Sequence, residues 1–269
     1  MEGYSLRDYT TIDLEVEDGV ARLTLVRPDA GNSMNEMFFD EFGHAANHLA
    51  TLGSAVRVVL LRSTGRFFSV GGDIGVFTRQ LDEASAAVLA GTFSMHAGLT
   101  RLRRMDAPLV AAVQGTAMGG AVAVLSNCDV VISARSATFG AAYSKLGFSM
   151  DLGASYGLAS RMGVSRARRF LLLAETLDAE SALQAGLVDE VVDDDHVAER
   201  ADELVTQLGA GPTRAYGEIR RLVGRALSQP FEASLEDEAQ ALARLAGMHD
   251  AREGLTAFTE KRVPKFDGR

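Results

Sequence analysis

Two glycine-bearing stretches are the first candidates for chemistry. They are Arg66-Phe67-Phe68-Ser69-Val70-Gly71-Gly72-Asp73-Ile74 and Gln114-Gly115-Thr116-Ala117-Met118-Gly119-Gly120-Ala121. Each follows an apolar run that reads as a strand. Glycine reaches φ > 0 and places no Cβ between a ligand and the backbone N–H. A helix opening near Gly119 would also aim its free N–H groups and positive dipole end at an anion. Two such loops converging would hold an oxyanion between two amides. Taken alone, glycine pairs are equally what ordinary turns need. The second loop lacks the middle glycine of a dinucleotide fingerprint, and no G-x-x-x-x-G-K-[ST] occurs.

Other reactive side chains read locally as structural. Asp151 stands directly before a helical stretch at 152–162, where aspartate is a favoured N-cap. His96 is a lone histidine within a helical pattern. His44, His48, His196 and His249 show no ligand spacing, so no metal site is expected. Cys128, the single cysteine, lies in an apolar stretch, reads as core, and agrees with a reducing cytoplasm. Phe67, Phe68, Phe77, Tyr143 and Phe148 suit either a wall for a flat acyl group or plain core.

The elements that would position these residues alternate through the first part of the chain. Residues 12–17 and 20–26 read as strands joined by Asp18-Gly19, a hairpin signal. Helical spacing follows at 35–52, a buried strand at 56–61, a helix at 85–104 stopped before Pro108, and a strand at 109–113. A small-residue helix follows Gly120, then a short strand at 130–134. The rhythm argues an α/β fold. Past residue 195 only helical patterns remain, at 197–208, 213–227, 231–247 and 251–261. The chain divides into an α/β core, residues 1–195, and a helical C-terminal region, residues 196–269.

Composition narrows the function. The 269 residues are 47% hydrophobic and 23% charged, ordinary for a globular enzyme. A net charge of −9 speaks against nucleic acid as the main partner, since phosphate binding needs concentrated positive charge. The basic clusters Arg101, Arg103, Arg104 and Arg166, Arg168, Arg169 read as solvated helix faces. Apolar runs are too short to span a bilayer, and the N-terminus lacks the pattern of a signal peptide. A cytoplasmic protein acting on a small anionic substrate is expected.

The chain resembles the enoyl-CoA hydratase/isomerase (crotonase) family. The resemblance rests on Leu25-Val26-Arg27-Pro28 with Asn32, on Phe68-Ser69-Val70-Gly71-Gly72-Asp73, and on Ala107 through Gly115. Met118-Gly119-Gly120, Cys128-Asp129, Ala185-Gly186-Leu187-Val188 and Phe258-Thr259-Glu260-Lys261-Arg262 continue it in order. It implies a spiral core of ββα units and a helical tail that builds a homotrimer or a dimer of trimers. The substrate would be an acyl-CoA thioester, with coenzyme A entering as part of that substrate and no separate cofactor. The N–H groups of Gly72 and Gly120 fall on the two oxyanion-hole positions. Val70, Gly71 and Gly72 fall where the family holds the CoA adenine, and Arg27 where a basic side chain faces the CoA phosphates. Phe258 and Lys261 match tail positions that reach CoA on a neighbouring subunit.

Departures from the family pattern select the chemistry. Hydratases of the family carry two glutamates at positions that are Ala123 and Tyr143 here, so both carboxylates needed to activate and deliver water are missing. Asp151 lies where isomerase branches carry a catalytic aspartate, and its segment resembles that of the epoxide-derived phenylacetyl-CoA isomerases. A double-bond shift needs one base that removes a proton and returns it elsewhere. His96 resembles the base histidine of 4-chlorobenzoyl-CoA dehalogenases, in which an aspartate at the Asp151 position is a nucleophile. The leading expectation is an isomerase with Asp151 as base. The alternatives are dehalogenase-like substitution, an atypical hydratase with rearranged groups, and a weakly catalytic acyl-CoA-binding protein.

Overall fold

A computed structural model describes residues 8–79, 82, 84–226 and 228–269. In chain order it runs β1 (Ile12–Glu17), β2 (Val20–Leu25), α1 (Glu36–Leu52), β3 (Val58–Ser63), α2 (Ile74–Arg79), α3 (Ala84–Arg104) and β4 (Leu109–Val113). Next come β5 (Ala117–Met118), α4 (Gly120–Ser126), β6 (Val130–Ala134), β7 (Thr138–Gly140), α5 (Ala154–Met162) and α6 (Val164–Leu172). Then follow β8 (Thr176–Asp178), α7 (Ala179–Gln184) and β9 (Glu190–Val192). The helices α8 (Val197–Gly209), α9 (Thr213–Arg225), α10 (Phe231–Ala246) and α11 (His249–Glu260) close the chain.

The expected hairpin forms because Asp18 and Gly19 are both left-handed, at φ 49° and 81°, the geometry of a tight two-residue turn. From β2 outward the main sheet grows in the order β1-β2-β3-β4-β6-β9, and every pair after the hairpin is parallel. β4 is buried along its whole length and β3 along its first four residues, as a parallel sheet covered on both faces requires. A second sheet, β5-β7-β8, stands beside it. Its strands of two or three residues, like β9, are too short to show alternation in sequence, and none was expected. The strand expected at 56–61 occupies Val58–Ser63 instead, because Val56 donates its N–H to the Gly53 carbonyl in a tight turn.

Helices α1 and α3 cross closely enough to require glycine on both. A Cβ on Gly43 would lie 2.6 Å from the Ser94 carbonyl oxygen, and one on Gly98 would lie 2.9 Å from Gly43 Cα. That crossing fixes the helix that carries His96. Cys128 is buried, as expected of a core residue, and burial pushes its thiol up to about 12. The basic clusters are not simply solvated. Arg103 stacks over the Tyr156 ring at 4.6 Å and donates to Asn127 Oδ1 at 2.9 Å, while Arg166 and Arg169 both pair with Glu175.

The chain entering β1 is tied to α1 by a buried carboxylate. Glu41 is 1% exposed and accepts four hydrogen bonds, from the N–H and hydroxyl groups of Thr10 and Thr11. Burial by itself raises its pKa, but the hydrogen bonds from Thr11 and Thr10 outweigh that and hold it below the ordinary 4.5. A depressed folded-state pKa contributes stability above the unfolded pKa, and that stability is lost as pH falls through the folded value. Glu41→Gln should therefore lower the melting temperature at pH 7 and flatten the decline of stability below about pH 4.5. Parallel acid-unfolding curves for variant and wild type would refute this.

Candidate functional site

The two glycine loops meet. Ser69 bridges Ala117 in parallel fashion, with Phe68 N–H donating to Thr116 O at 3.0 Å and Met118 N–H to Ser69 O at 2.9 Å. At Gly71, φ is 86°, and an added Cβ would lie 2.5 Å from Met118 O and 3.3 Å from Gly120 N. Only glycine permits that approach. Met34 bridges Gly72 on the other side, its N–H donating to Gly71 O at 2.8 Å. Among the described residues neither the Gly72 N–H nor the Gly120 N–H has an acceptor, while the intervening Gly119 N–H is used on Gly140 O at 2.8 Å.

Two polar side chains that the sequence reading gave no role of their own brace the first loop. The fully buried Ser69 hydroxyl donates to Asn32 O at 2.8 Å and accepts from Gly71 N–H at 3.1 Å. Asn32, left-handed at φ 52°, donates through Nδ2 to Thr64 O and Phe67 O, and its Oδ1 accepts from Arg27 N–H at 2.8 Å. The Arg27-Pro28 to Asn32 motif is thus a bracket for the loop. Arg27 itself is half-buried and donates from Nη1 to Ser33 O at 2.8 Å, so part of its guanidinium is already engaged.

Asp151 is not the helix cap expected from its neighbours. Leu152 and Gly153 are left-handed, at φ 49° and 76°, and Gly153 takes the N-cap position of α5 with no side-chain cap. Two left-handed residues in succession turn the carboxylate away from the helix start. Asn127 holds this kink, donating from Nδ2 to Leu152 O at 3.0 Å. A non-glycine residue in this region costs roughly 1–2 kcal/mol, so the kink is a local strain that packing must hold. The same kink packs Leu152 against the second loop: a Cβ on Gly120 would lie 3.3 Å from Leu152 Cδ1. The Asp151 segment therefore adjoins the free Gly120 N–H.

The freed carboxylate of Asp151 is half-buried and accepts at Oδ1 from the Tyr143 hydroxyl at 3.1 Å. Burial raises its pKa above the ordinary 3.8, while the Tyr143 hydrogen bond and the nearby His96 charge pull it back only in part. Tyr143 opens a 3-10 turn, Tyr143–Leu146, and burial together with the Asp151 charge pushes its phenol upward, so it remains a donor. Spacing gave no hint of this pair. His96 is exposed on α3, near enough for its charge to act on Asp151. Ala123 is fully buried on α4.

A family model of enoyl-CoA hydratase/isomerase matches residues 15–269. The chain belongs to that family. The 1,2-epoxyphenylacetyl-CoA isomerase of Escherichia coli (strain K12) is 34% identical over 258 residues, 94% of this chain and 97% of its own. The trans-2-decenoyl-[acyl-carrier-protein] isomerase of Streptococcus mutans is 29% identical over 97% of this chain and 100% of its own. A crystal structure of a provisionally named enoyl-CoA hydratase from Streptomyces coelicolor A3(2) superposes with a TM-score of 0.93 at 30% identity. It covers 100% of this chain and 98% of that one. The crotonase fold and the helical C-terminal region expected from sequence are those observed, and relatives carry both hydratase and isomerase names.

The remaining candidates of this enoyl-CoA hydratase/isomerase are placed as follows. Val70 is 40% exposed beside the half-buried Gly72. Phe258 is 85% exposed on α11, and Lys261 ends that helix in a left-handed C-cap at φ 56°. Among the described residues neither forms a hydrogen bond to the loops within one chain. Of the proposed acyl wall, Phe68 is core at 1% exposure, Phe148 is 48% exposed, and the side chain of Phe77 lies outside the described residues. A cleft of about 370 Å³ is lined by residues that include Arg104, Asp106, Thr213, Arg214 and Arg221, with neither Asp151 nor the two glycine loops among them.

His249, Asp250 and Asp267 bring ligand-type atoms within 4.8 Å of one another, a grouping that spacing did not suggest. Both oxygens of the buried Asp250 carboxylate accept backbone N–H groups, from Asp267 and Gly268 at 2.9 Å each. Those bonds make the group a clasp for the C-terminal tail. No described helix is long and apolar enough to cross a membrane.

Proposed function

We propose that this enzyme shifts a double bond within an acyl-CoA thioester, using Asp151 as its single base. The amides of Gly72 and Gly120 would hold the thioester oxygen as it gains charge, lowering the cost of the dienolate. Asp151 would take a proton from one carbon and return it to another. Coenzyme A would enter as part of the substrate, contacted by Arg27 and the Val70–Gly72 backbone, and the proposed reaction uses no separate cofactor.

The observation that carries this reading is a half-buried carboxylate, turned off its helix by the Leu152–Gly153 kink, whose neighbour Leu152 packs against the unpaired amide residue Gly120. Its raised pKa makes it a stronger base than an ordinary aspartate. Ala123 and Tyr143 supply no second carboxylate. A panel of 2-enoyl, 3-enoyl and aromatic acyl-CoA thioesters in deuterium oxide tests the reading. Exchange at the α- or γ-carbon with little hydration of crotonyl-CoA is expected, since each missing acid–base group costs roughly 10²–10⁴-fold. Crotonyl-CoA turnover at the pace of an ordinary hydratase would overturn it.

A second reading has one observation behind it. His96 lies near Asp151, as a nucleophile-and-base pair would require for dehalogenation of an aromatic acyl-CoA. In that chemistry the Asp151 carboxylate adds to the halogen-bearing ring carbon and halide leaves, giving an aryl ester that water, deprotonated by His96, hydrolyses to the hydroxyaryl product and free Asp151.

The apolar exposure of the tail supports a homotrimer or a dimer of trimers. Val223, Leu242, Leu255 and Phe258 are each about 70–85% exposed on α9, α10 and α11. Trimer formation would also bring Phe258 and Lys261 to a neighbour's CoA. Light scattering at micromolar concentration should give three or six chain masses, and a monomer mass would remove both residues from the site.

A further inference from the structure

We propose that Tyr143 is a positioning residue for Asp151, fixing Oδ1 through its phenol and leaving Oδ2 as the atom that carries the proton. The proposal rests on the reading of Asp151 as a base and goes beyond it, because neither the residue nor its effect follows from that reading. Three features of the site lead to it.

First, the bond is specific. Tyr143 donates to Oδ1 at 3.1 Å, and among the described residues no other residue's side chain bonds the carboxylate. A carboxylate held by one oxygen is oriented, and its other oxygen is free to meet a substrate C–H. Second, among the described residues no other side chain anchors the carboxylate, and beyond Tyr143 only Asp151's own backbone N–H bears on it. The Leu152–Gly153 kink puts Gly153 at the N-cap of α5, so Asp151 does not cap that helix. Third, the donor is fixed in role. Burial and the Asp151 charge hold the phenol in its protonated form, so it donates to the carboxylate and does not share a proton with it.

The titratable groups acting on Asp151 are Tyr143 from the 3-10 turn and His96 from α3, and both favour the ionised carboxylate. Burial works against it. Removing the phenol therefore leaves burial less opposed, and the pH at which Asp151 loses its charge must rise. A structural role for Tyr143, filling space between the turn and α5, would lower stability without moving that pH.

The test uses full-length protein and the acyl-CoA thioester that exchanges fastest in the panel above. Tyr143→Phe keeps the ring and deletes the donor. Its kcat/KM should fall by roughly 10–100-fold, the range of one hydrogen bond to a charged group, with the acid limb of the pH profile displaced to higher pH. Replacing Tyr143 by 3-fluorotyrosine makes the phenol more acidic and strengthens donation, so the same limb should move to lower pH. This second variant decides the matter alone if Tyr143→Phe does not fold. In an Asp151→Asn background Tyr143→Phe should add little, since both changes act through one group. An acid limb that stays in place in both Tyr143 variants, while Asp151→Asn abolishes exchange, would overturn the positioning role and leave the base intact. Full activity in Asp151→Asn would remove the base reading, and the role of Tyr143 with it.

Discussion

Asp151→Asn is expected to lose roughly 10²–10⁴ of turnover, the usual contribution of one general base, and to gain stability while doing so. The gain follows from the direction of the pKa. Burial raises Asp151 above the ordinary 3.8, so the folded protein holds that proton more tightly than the unfolded chain does. Stability then falls as pH rises from the unfolded pKa through the folded one, and above the folded pKa the ionised carboxylate is a net cost. Asparagine removes the charge and keeps an oxygen that can accept from Tyr143. A melting temperature at pH 7 equal to or above wild type is expected, together with nearly complete loss of deuterium exchange. The trade of stability for chemistry is common at functional sites. A marked drop in melting temperature with activity retained would mean that Asp151 serves the fold.

Gly120→Pro is the second variant with a large expected effect. Gly120 is the first residue of α4, where proline's fixed φ suits the helix and its missing N–H breaks no internal bond. The atoms nearest an added Cβ are Met34 Sδ at 3.2 Å and Leu152 Cδ1 at 3.3 Å, both on flexible side chains. The substitution should therefore fold and specifically delete the amide aimed at the thioester oxygen. Loss of one oxyanion donor typically costs about 10²–10³ in turnover. We expect that loss with little change in the affinity for a saturated acyl-CoA, whose carbonyl gains no charge. Gly72→Pro should behave alike in rate, because the Gly72 N–H is likewise without an acceptor. A folded Gly120→Pro variant of full activity would show that the oxyanion lies elsewhere.

Much of the scaffold was legible because long elements announce themselves through periodicity. The hairpin at Asp18-Gly19, α1 after its Asn35 cap, and the four tail helices all stand where spacing and turn chemistry put them. The second sheet was not legible. Strands of two or three residues have no alternation to detect, and β5-β7-β8 is held by pairing between distant segments.

At the site, the glycine loops could be picked out by composition, but their convergence could not. It depends on Met118 and Gly71 approaching across 47 residues of chain, and on the Asn32 and Ser69 bracket. Asp151 illustrates the limit most clearly. Local rules assign it to a helix cap, and the left-handed pair Leu152-Gly153 defeats them, because a non-glycine residue at φ 49° is a tertiary outcome. Its partner Tyr143 sits eight residues away in a turn, at a spacing that no periodic pattern marks.

The account stands most directly on where the atoms go during turnover. The reaction should be run to many turnovers in ¹⁸O-water containing deuterium oxide, with product and the Asp151 peptide both weighed. A single base that shuttles a proton predicts deuterium at the α- or γ-carbon and no ¹⁸O in either molecule. Oxygen-18 in the Asp151 carboxylate, with ester accumulating in His96→Ala, would contradict it and establish the aspartate as a nucleophile.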